Sequence, residues 1–165
     1  MRARPIAILA AVSACEAAPA PPACTSGVMQ PGTSENLDMT PGQACNACHA
    51  YTNASSGDGG DAPIYAFAGT VFTGKHEPDD CVGGPLDDAP AEVEVVDAIG
   101  VRYRVPVSAV GNFMFESDAV VYPVTAKILY QGRVRWMIEP QLSGDCNTCH
   151  SAAGTDGASG RIRLP

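Results

Sequence analysis

Ala91-Glu92-Val93-Glu94-Val95-Val96-Asp97 alternates apolar and acidic side chains. Successive side chains of an extended chain point to opposite faces, so this stretch reads as a half-buried β-strand. The chain around it continues in the same texture. Ala98-Ile99-Gly100 is a turn into Val101-Arg102-Tyr103-Arg104-Val105, where Val and Tyr face inward and Arg outward. Val110-Gly111-Asn112 is a second turn, before Phe113-Met114-Phe115. Pro123 to Tyr130 and Arg133 to Ile138 flank Gln131-Gly132, a two-residue hairpin turn in which Gly supplies a positive φ. Upstream, Ala66 to Thr73 reads as the first strand, and Gly74 to Ala89 as a long polar loop. Six to seven short strands at turn spacings of roughly ten residues predict a mainly β fold, an antiparallel β-sandwich over 63–140.

Two five-residue stretches flank that segment. Cys45-Asn46-Ala47-Cys48-His49 lies before it and Cys146-Asn147-Thr148-Cys149-His150 after it. Each is Cys-x-x-Cys-His, the spacing of a c-type haem attachment site. Two thiols three positions apart lie on one side of a helical turn, so both can bond the vinyl groups at one haem edge. The histidine after them is carried under the ring and can bind the iron. Cys45, Cys48, Cys146 and Cys149 are thus the expected thioether positions, and His49 and His150 the proximal ligands, of two covalently bound haem c groups. Short helical segments are expected at both motifs. Thr40-Pro41 offers an N-cap and a first helical position ahead of the first motif. Asp145 or Ser143 can cap the second. Thr52 to Asp61 is rich in Asn, Ser, Gly and Asp and reads as a loop. A four-Cys zinc ribbon accepts Cys-x-x-Cys twice, but leaves both histidines idle across a long spacer. A redox dithiol needs only one such pair.

The 165 residues favour one domain with appendages, and a formal net charge of −8 argues against a nucleic-acid partner. With Gly 17 and Pro 14, turns outweigh long helices. Arg2 and Arg4 precede the short apolar run Ile6 to Val12, which reads as an export signal too short to span a bilayer. Val12-Ser13-Ala14-Cys15 resembles a bacterial lipobox, which marks Cys15 for lipidation and 1–15 as signal peptide. The other reading is an ordinary signal cut near Ala18. Residues 16–39, with Ala17-Ala18-Pro19-Ala20-Pro21-Pro22-Ala23, read as an extended tether. The first haem-binding segment is then 40–62, and the second, with its tail, 141–165.

Seven cysteines, less four for haem and less Cys15, leave Cys24 and Cys81. In an oxidising compartment these either pair as a disulfide or stay free. The sixth iron ligands are more open. His76 is the one histidine outside the motifs, in a loop with Lys75 and Glu77, and reads either as a distal ligand or as a solvated side chain. Met137 and Met39, each just ahead of a motif, are the methionine candidates against a core-filling role. Arg161 and Arg163 can fork onto haem propionates or form an exposed basic tail.

Segment 67–137 resembles the carboxypeptidase-regulatory or transthyretin-like β-sandwich. Gly69-Thr70-Val71, Val93-Glu94-Val95-Val96-Asp97, Gly111-Asn112-Phe113-Met114-Phe115 and Tyr122-Pro123-Val124 carry the likeness. The whole chain resembles the bacterial exported dihaem c-type cytochromes, through both Cys-x-x-Cys-His motifs and the export signal. That resemblance implies haem attachment outside the cytoplasm and single-electron transfer to other redox proteins such as cytochromes, with no organic substrate. Its location would be the cell envelope, held to a membrane by a lipid anchor alone. A peroxidase-like haem enzyme or haem sensor with an open axial site is one alternative; a surface binding module wired by haem is another.

Overall fold

The computed structural model describes residues 40–56, 60–78, 80, 83–84 and 89–165. The fold is mainly β, with two sheets and one short α-helix. Helix α1 is Cys45–Ser55, and strands β1 to β7 are Phe67–Phe72, Ala91–Val96, Arg102–Pro106, Asn112–Phe115, Thr125–Tyr130, Arg133–Trp136 and Ile162–Arg163. One sheet has the order β4-β1-β7 and the other β3-β2-β5-β6. Among the described residues, no helix is long and apolar enough to cross a membrane.

The alternation of β2 sets the second sheet. Val93 and Val95 turn inward and meet Phe67, Val71, Val105, Phe113, Val124 and Ile128 in one core. Phe67 stacks on Phe115 with ring centroids 5.1 Å apart, and Tyr103 closes on Phe115 at 5.2 Å. The other face of β2 carries Glu94, which sits opposite Arg104 on β3 and Lys127 on β5. Arg104 Nε donates to it at 2.7 Å, Lys127 Nζ at 2.6 Å and Arg102 at 3.0 Å. The cations fold over the carboxylate until its side chain is 1% exposed. Hydrogen bonds from Lys127 and then Arg104 hold its pKa down at about 2, against the opposing pull of burial. The hairpin between β5 and β6 turns at Gln131 and Gly132, both with positive φ (48° and 72°), as a type I′ turn requires.

Strand β1 organises the other sheet, and every one of its residues is buried. One edge pairs antiparallel with β4. The opposite edge is shared. Val71 and Phe72 pair in parallel with β7, a pairing outside the expected antiparallel pattern. Below them, Ala68 N–H donates to the Gly144 carbonyl at 2.9 Å, and Thr70 N–H to Asn147 Oδ1 at 3.0 Å. The segment that leads into and carries the second Cys-x-x-Cys-His motif therefore occupies a strand position beside β1. The asparagine side chain supplies the carbonyl that a strand backbone would otherwise offer.

Candidate functional site

The first motif lies on α1, but the helix does not begin at Thr40-Pro41 as expected. Thr40 to Gln43 form a turn, with Gln43 N–H bonded to the Thr40 carbonyl and Thr40 at φ 29°. The helix starts at Cys45 behind Ala44, which has no capping side chain. It then runs on to Ser55, through part of the stretch that reads as loop. Its cap comes from elsewhere. Asp145 Oδ1 accepts the Cys45 N–H at 3.0 Å, and Oδ2 the Ala47 N–H at 3.1 Å. The first amides of a helix lack partners inside it, and a carboxylate there also meets the positive end of the helix dipole. Asp145, expected to cap its own motif, thus caps the other one. Burial pushes its carboxyl pKa up, and the amides of Ala47, Cys45 and Asn46 offset this in part.

The second motif is not an α-helix. It is a single 3₁₀ turn, Cys146–Thr148, with His150 N–H bonded to the Cys146 carbonyl at 3.0 Å. Both motif segments pack against β1, so the two lie beside the same strand. Their first variable residues are both asparagine and both are structural. Asn46 brackets Tyr65, donating to its carbonyl and accepting from its amide, each at 2.8 Å. Asn147 accepts from Thr70 N–H and donates to the Gln43 carbonyl at 2.8 Å. Thr70 is a hub between them. Its hydroxyl accepts from Gly42 N–H at 2.8 Å and donates to Asn112 Oδ1 at 2.8 Å. The repeated Asn at one motif position was the sequence signal for these contacts.

The two motif histidines sit in unlike surroundings but share one hydrogen-bond pattern. His49 is buried, its ring 5.3 Å from that of Tyr65, and Nδ1 meets the Pro63 carbonyl at 2.5 Å. His150 Nδ1 meets the Gly160 carbonyl at 2.8 Å. A carbonyl can only accept, so Nδ1 carries a hydrogen in each ring, and in the neutral imidazole the lone pair lies on Nε2. That is the tautomer of a metal-ligating imidazole with its second nitrogen held by the protein.

The four thiols are unpaired. Burial is the main reason the Cys45 and Cys146 pKa values are pushed up to about 12, with Asp145 and, for Cys146, Cys45 adding to it. The Cys149 pKa is also raised, by burial and then by Asp156. Redox-active Cys-x-x-Cys pairs need the opposite shift toward thiolate. Nor do three or more His, Cys, Asp or Glu side chains converge on one point among the described residues, so the motifs do not build a shared zinc cage. The donor set fits two haem c groups: two thiols and one imidazole per segment, with each imidazole in the ligating tautomer.

The remaining candidates do not all gather at the motifs. His76 is exposed, and its Nδ1 meets the Ala152 carbonyl at 2.9 Å, in the loop after the second motif. Its Nδ1 thus carries a hydrogen, as in the motif histidines. Met137 continues the β5–β6 ladder, its amide donating to Ala126 at 2.8 Å, in the sheet that carries neither motif. Arg161 is not an exposed tail. It is buried, paired with Asp80, donates from Nε to the Glu77 carbonyl at 3.1 Å, and lies 4.5 Å over the Phe72 ring. Those contacts commit its guanidinium within the fold. Arg163 is half-buried in β7 opposite Phe72. A cavity of about 390 Å³ lies between β2, β5 and β6, lined by Glu92, Leu129, Tyr130 and Val134, and includes no motif residue. Cys15, Cys24, Met39 and Cys81, and with them the signal, lipidation, tether and disulfide readings, fall outside the described residues.

No known protein family, curated protein or solved structure matches this chain.

Proposed function

We propose that the protein is an exported dihaem c-type cytochrome that carries single electrons between redox partners of the cell envelope. Cys45 and Cys48 hold one haem c, and Cys146 and Cys149 the other. His49 and His150 are the proximal ligands through Nε2. The bound haem supplies a reversible one-electron iron couple. The chain's own residues do the rest. The carbonyls of Pro63 and Gly160 fix each imidazole's tautomer and direction, and Asp145 holds the first motif's helix in place.

One observation carries the reading. Two motifs of different secondary structure, an α-helix and a 3₁₀ turn, present their histidines with Nδ1 on a backbone carbonyl. His76 carries the same pattern beside the second motif's loop, which favours it over Met137 as a distal ligand there. The signal-like start adds export, the lipobox-like Val12-Ser13-Ala14-Cys15 a lipid anchor at Cys15, and the family resemblance cytochrome partners.

The test is a visible and EPR spectrum of the holoprotein with a redox titration, repeated for His76→Ala and Met137→Ala. Two six-coordinate low-spin haems per chain are expected, with one ligand field altered in His76→Ala and neither in Met137→Ala. High-spin iron that reacts with peroxide moves the assignment to a haem enzyme. Absence of haem absorbance after expression with a working maturation system removes the proposal altogether.

A further inference from the structure

Strand β6 ends the β3-β2-β5-β6 sheet, and its outer edge is open. Met137 N–H reaches the Ala126 carbonyl at 2.8 Å, in register with the pairs Arg135–Ile128 and Arg133–Tyr130. Main-chain groups alternate in direction along an antiparallel strand, so Val134 and Trp136 aim their N–H and C=O groups away from β5. Among the described residues those groups meet no hydrogen-bond partner. The side chains at these positions are apolar and exposed, Val134 at 44% and Trp136 at 65%, and Ile138 continues the alternation at 93%. Lys127 Nζ stands over the Trp136 ring, 4.7 Å from its centroid. The opposite face of the strand carries Arg133 and Arg135. Arg135 Nε donates to the Leu164 carbonyl at 3.1 Å, next to Arg163 of β7. Among the described residues none of these three arginines pairs with a carboxylate. Burial, and then the positive charges of Arg163 and Arg133, push the Arg135 pKa down. On a chain of formal net charge −8 this edge is locally positive.

We infer that the β6 edge is a docking site for an extended acidic polypeptide segment, which adds to the sheet as a further strand. An open edge offers main-chain bonds to any extended chain, and the alternating side chains select among them. A segment with carboxylates at every second position turns them toward Arg133 and Arg135, and lays its apolar side chains beside Val134 and Trp136. A second copy of this chain does not suit the edge, because two β6 strands side by side set arginine against arginine on one face. Trp and Arg are also the residue types that dominate the energy of protein interfaces. The surface lies on the sheet that carries neither motif, so the inference stands apart from the haem reading.

The probe is a capped octapeptide of alternating glutamate and valine, titrated calorimetrically into the holoprotein at low salt, with a lysine–valine octapeptide as control. One-to-one binding of the glutamate peptide is expected, and none of the lysine peptide. Amide exchange followed by NMR should slow at Val134 and Trp136, whose N–H groups face outward, and stay as it was at Arg133 and Arg135, which already bond to β5. Arg133→Glu should weaken the glutamate peptide about tenfold, since an attraction becomes a repulsion. Val134→Pro deletes an outward N–H and no ladder bond, and should weaken the peptide likewise. If that variant does not accumulate, the glutamate peptide N-methylated throughout removes main-chain bonds from the other side, and undiminished binding of it overturns the inference. Failure of the unmodified glutamate peptide to bind at millimolar concentration does so as well, and so does equal binding of the lysine peptide. Self-association seen by sedimentation, with the same two amides protected and no peptide present, would give the edge to a second copy and overturn the acidic partner.

Discussion

The two Cys-x-x-Cys-His motifs are spelled almost alike, yet one is an eleven-residue α-helix and the other a three-residue 3₁₀ turn. The residues beyond each histidine make the difference. After His49, Ala50-Tyr51-Thr52-Asn53-Ala54-Ser55 contains no glycine or proline and continues the helix. After His150 the chain meets Gly154 at φ 77°, Asp156 at 48° and Gly157 at 86°, backbone conformations that no α-helix contains. The comparison teaches that the motif does not fix its own helix type, which the residues around it decide. Each histidine then reaches its carbonyl by a different route, Pro63 after a helix and loop, Gly160 after a glycine-rich turn.

The variant expected to break this arrangement most severely is Gly144→Ala. Gly144 runs against β1, and a Cβ there would collide with the Ala66 carbonyl, which already accepts from the Tyr122 hydroxyl. Backbone cannot yield cheaply, so a loss of about 3 kcal/mol is expected, read as a lower urea midpoint of the holoprotein. Because the second motif would be pushed off β1, the first should lose its Asp145 cap along with it.

Thr70→Val should come next. It keeps the shape but leaves Gly42 N–H and Asn112 Oδ1 without the hydroxyl that each now meets at 2.8 Å. Removing a partner from groups packed this closely costs about 2 kcal/mol in denaturant unfolding. Both motif ends should loosen together, seen as faster amide exchange at Gly42 and around Asn147; loosening of one alone would argue against Thr70 as the shared hub.

Gly157→Ala sharpens the comparison with a smaller effect. Gly157 has φ 86° and open space where a Cβ would stand. If the glycine turn is what shortens the second helix, alanine should destabilise by about 1 kcal/mol through the positive φ alone. It should not add helix, because the residues around it still turn back to bring Gly160 to His150. Circular dichroism near 222 nm should therefore stay unchanged; a gain in helical signal would place the limit on the second helix in Gly157 alone.

The smallest effect on the motifs should come from Glu94→Gln, on the far face of the other sheet. The Glu94 pKa is held at about 2 against an ordinary 4.5. A carboxylate with a lowered folded-state pKa contributes stability above its unfolded value, and that stability is lost as pH falls from about 4.5 toward 2. Urea titrations at pH 7 and pH 3 should show a drop for wild type that Glu94→Gln reduces, while haem spectra of the two proteins stay alike.

Much of the fold was legible because it rests on local patterns. The alternation from Ala91 to Val96, the inward Tyr103 and Val105, and the Gln131-Gly132 hairpin all stand where the sequence puts them. Strand β7 was not legible. Ile162-Arg163 is two residues long, and it is a strand only because β1 offers it an edge. The role of Arg161 was hidden for the same reason, since Asp80, Glu77 and Phe72 come from a distant loop and strand. Glu94 looked like one more surface acid until its three cations closed over it.

Sequence by itself determined which groups the two motifs offer, two thiols and an imidazole each. At i, i+3 and i+4 these share one side of an α-helical turn, whereas in a 3₁₀ turn i and i+3 eclipse and i+4 falls to another side. Only the tertiary structure decided how the two copies relate. Asp145 could cap the turn beside it or a helix elsewhere, and both choices satisfy the same local preference. Packing of both segments on β1 resolves this by bringing the second motif beside the start of α1, so the carboxylate a hundred residues away meets the Cys45 and Ala47 amides.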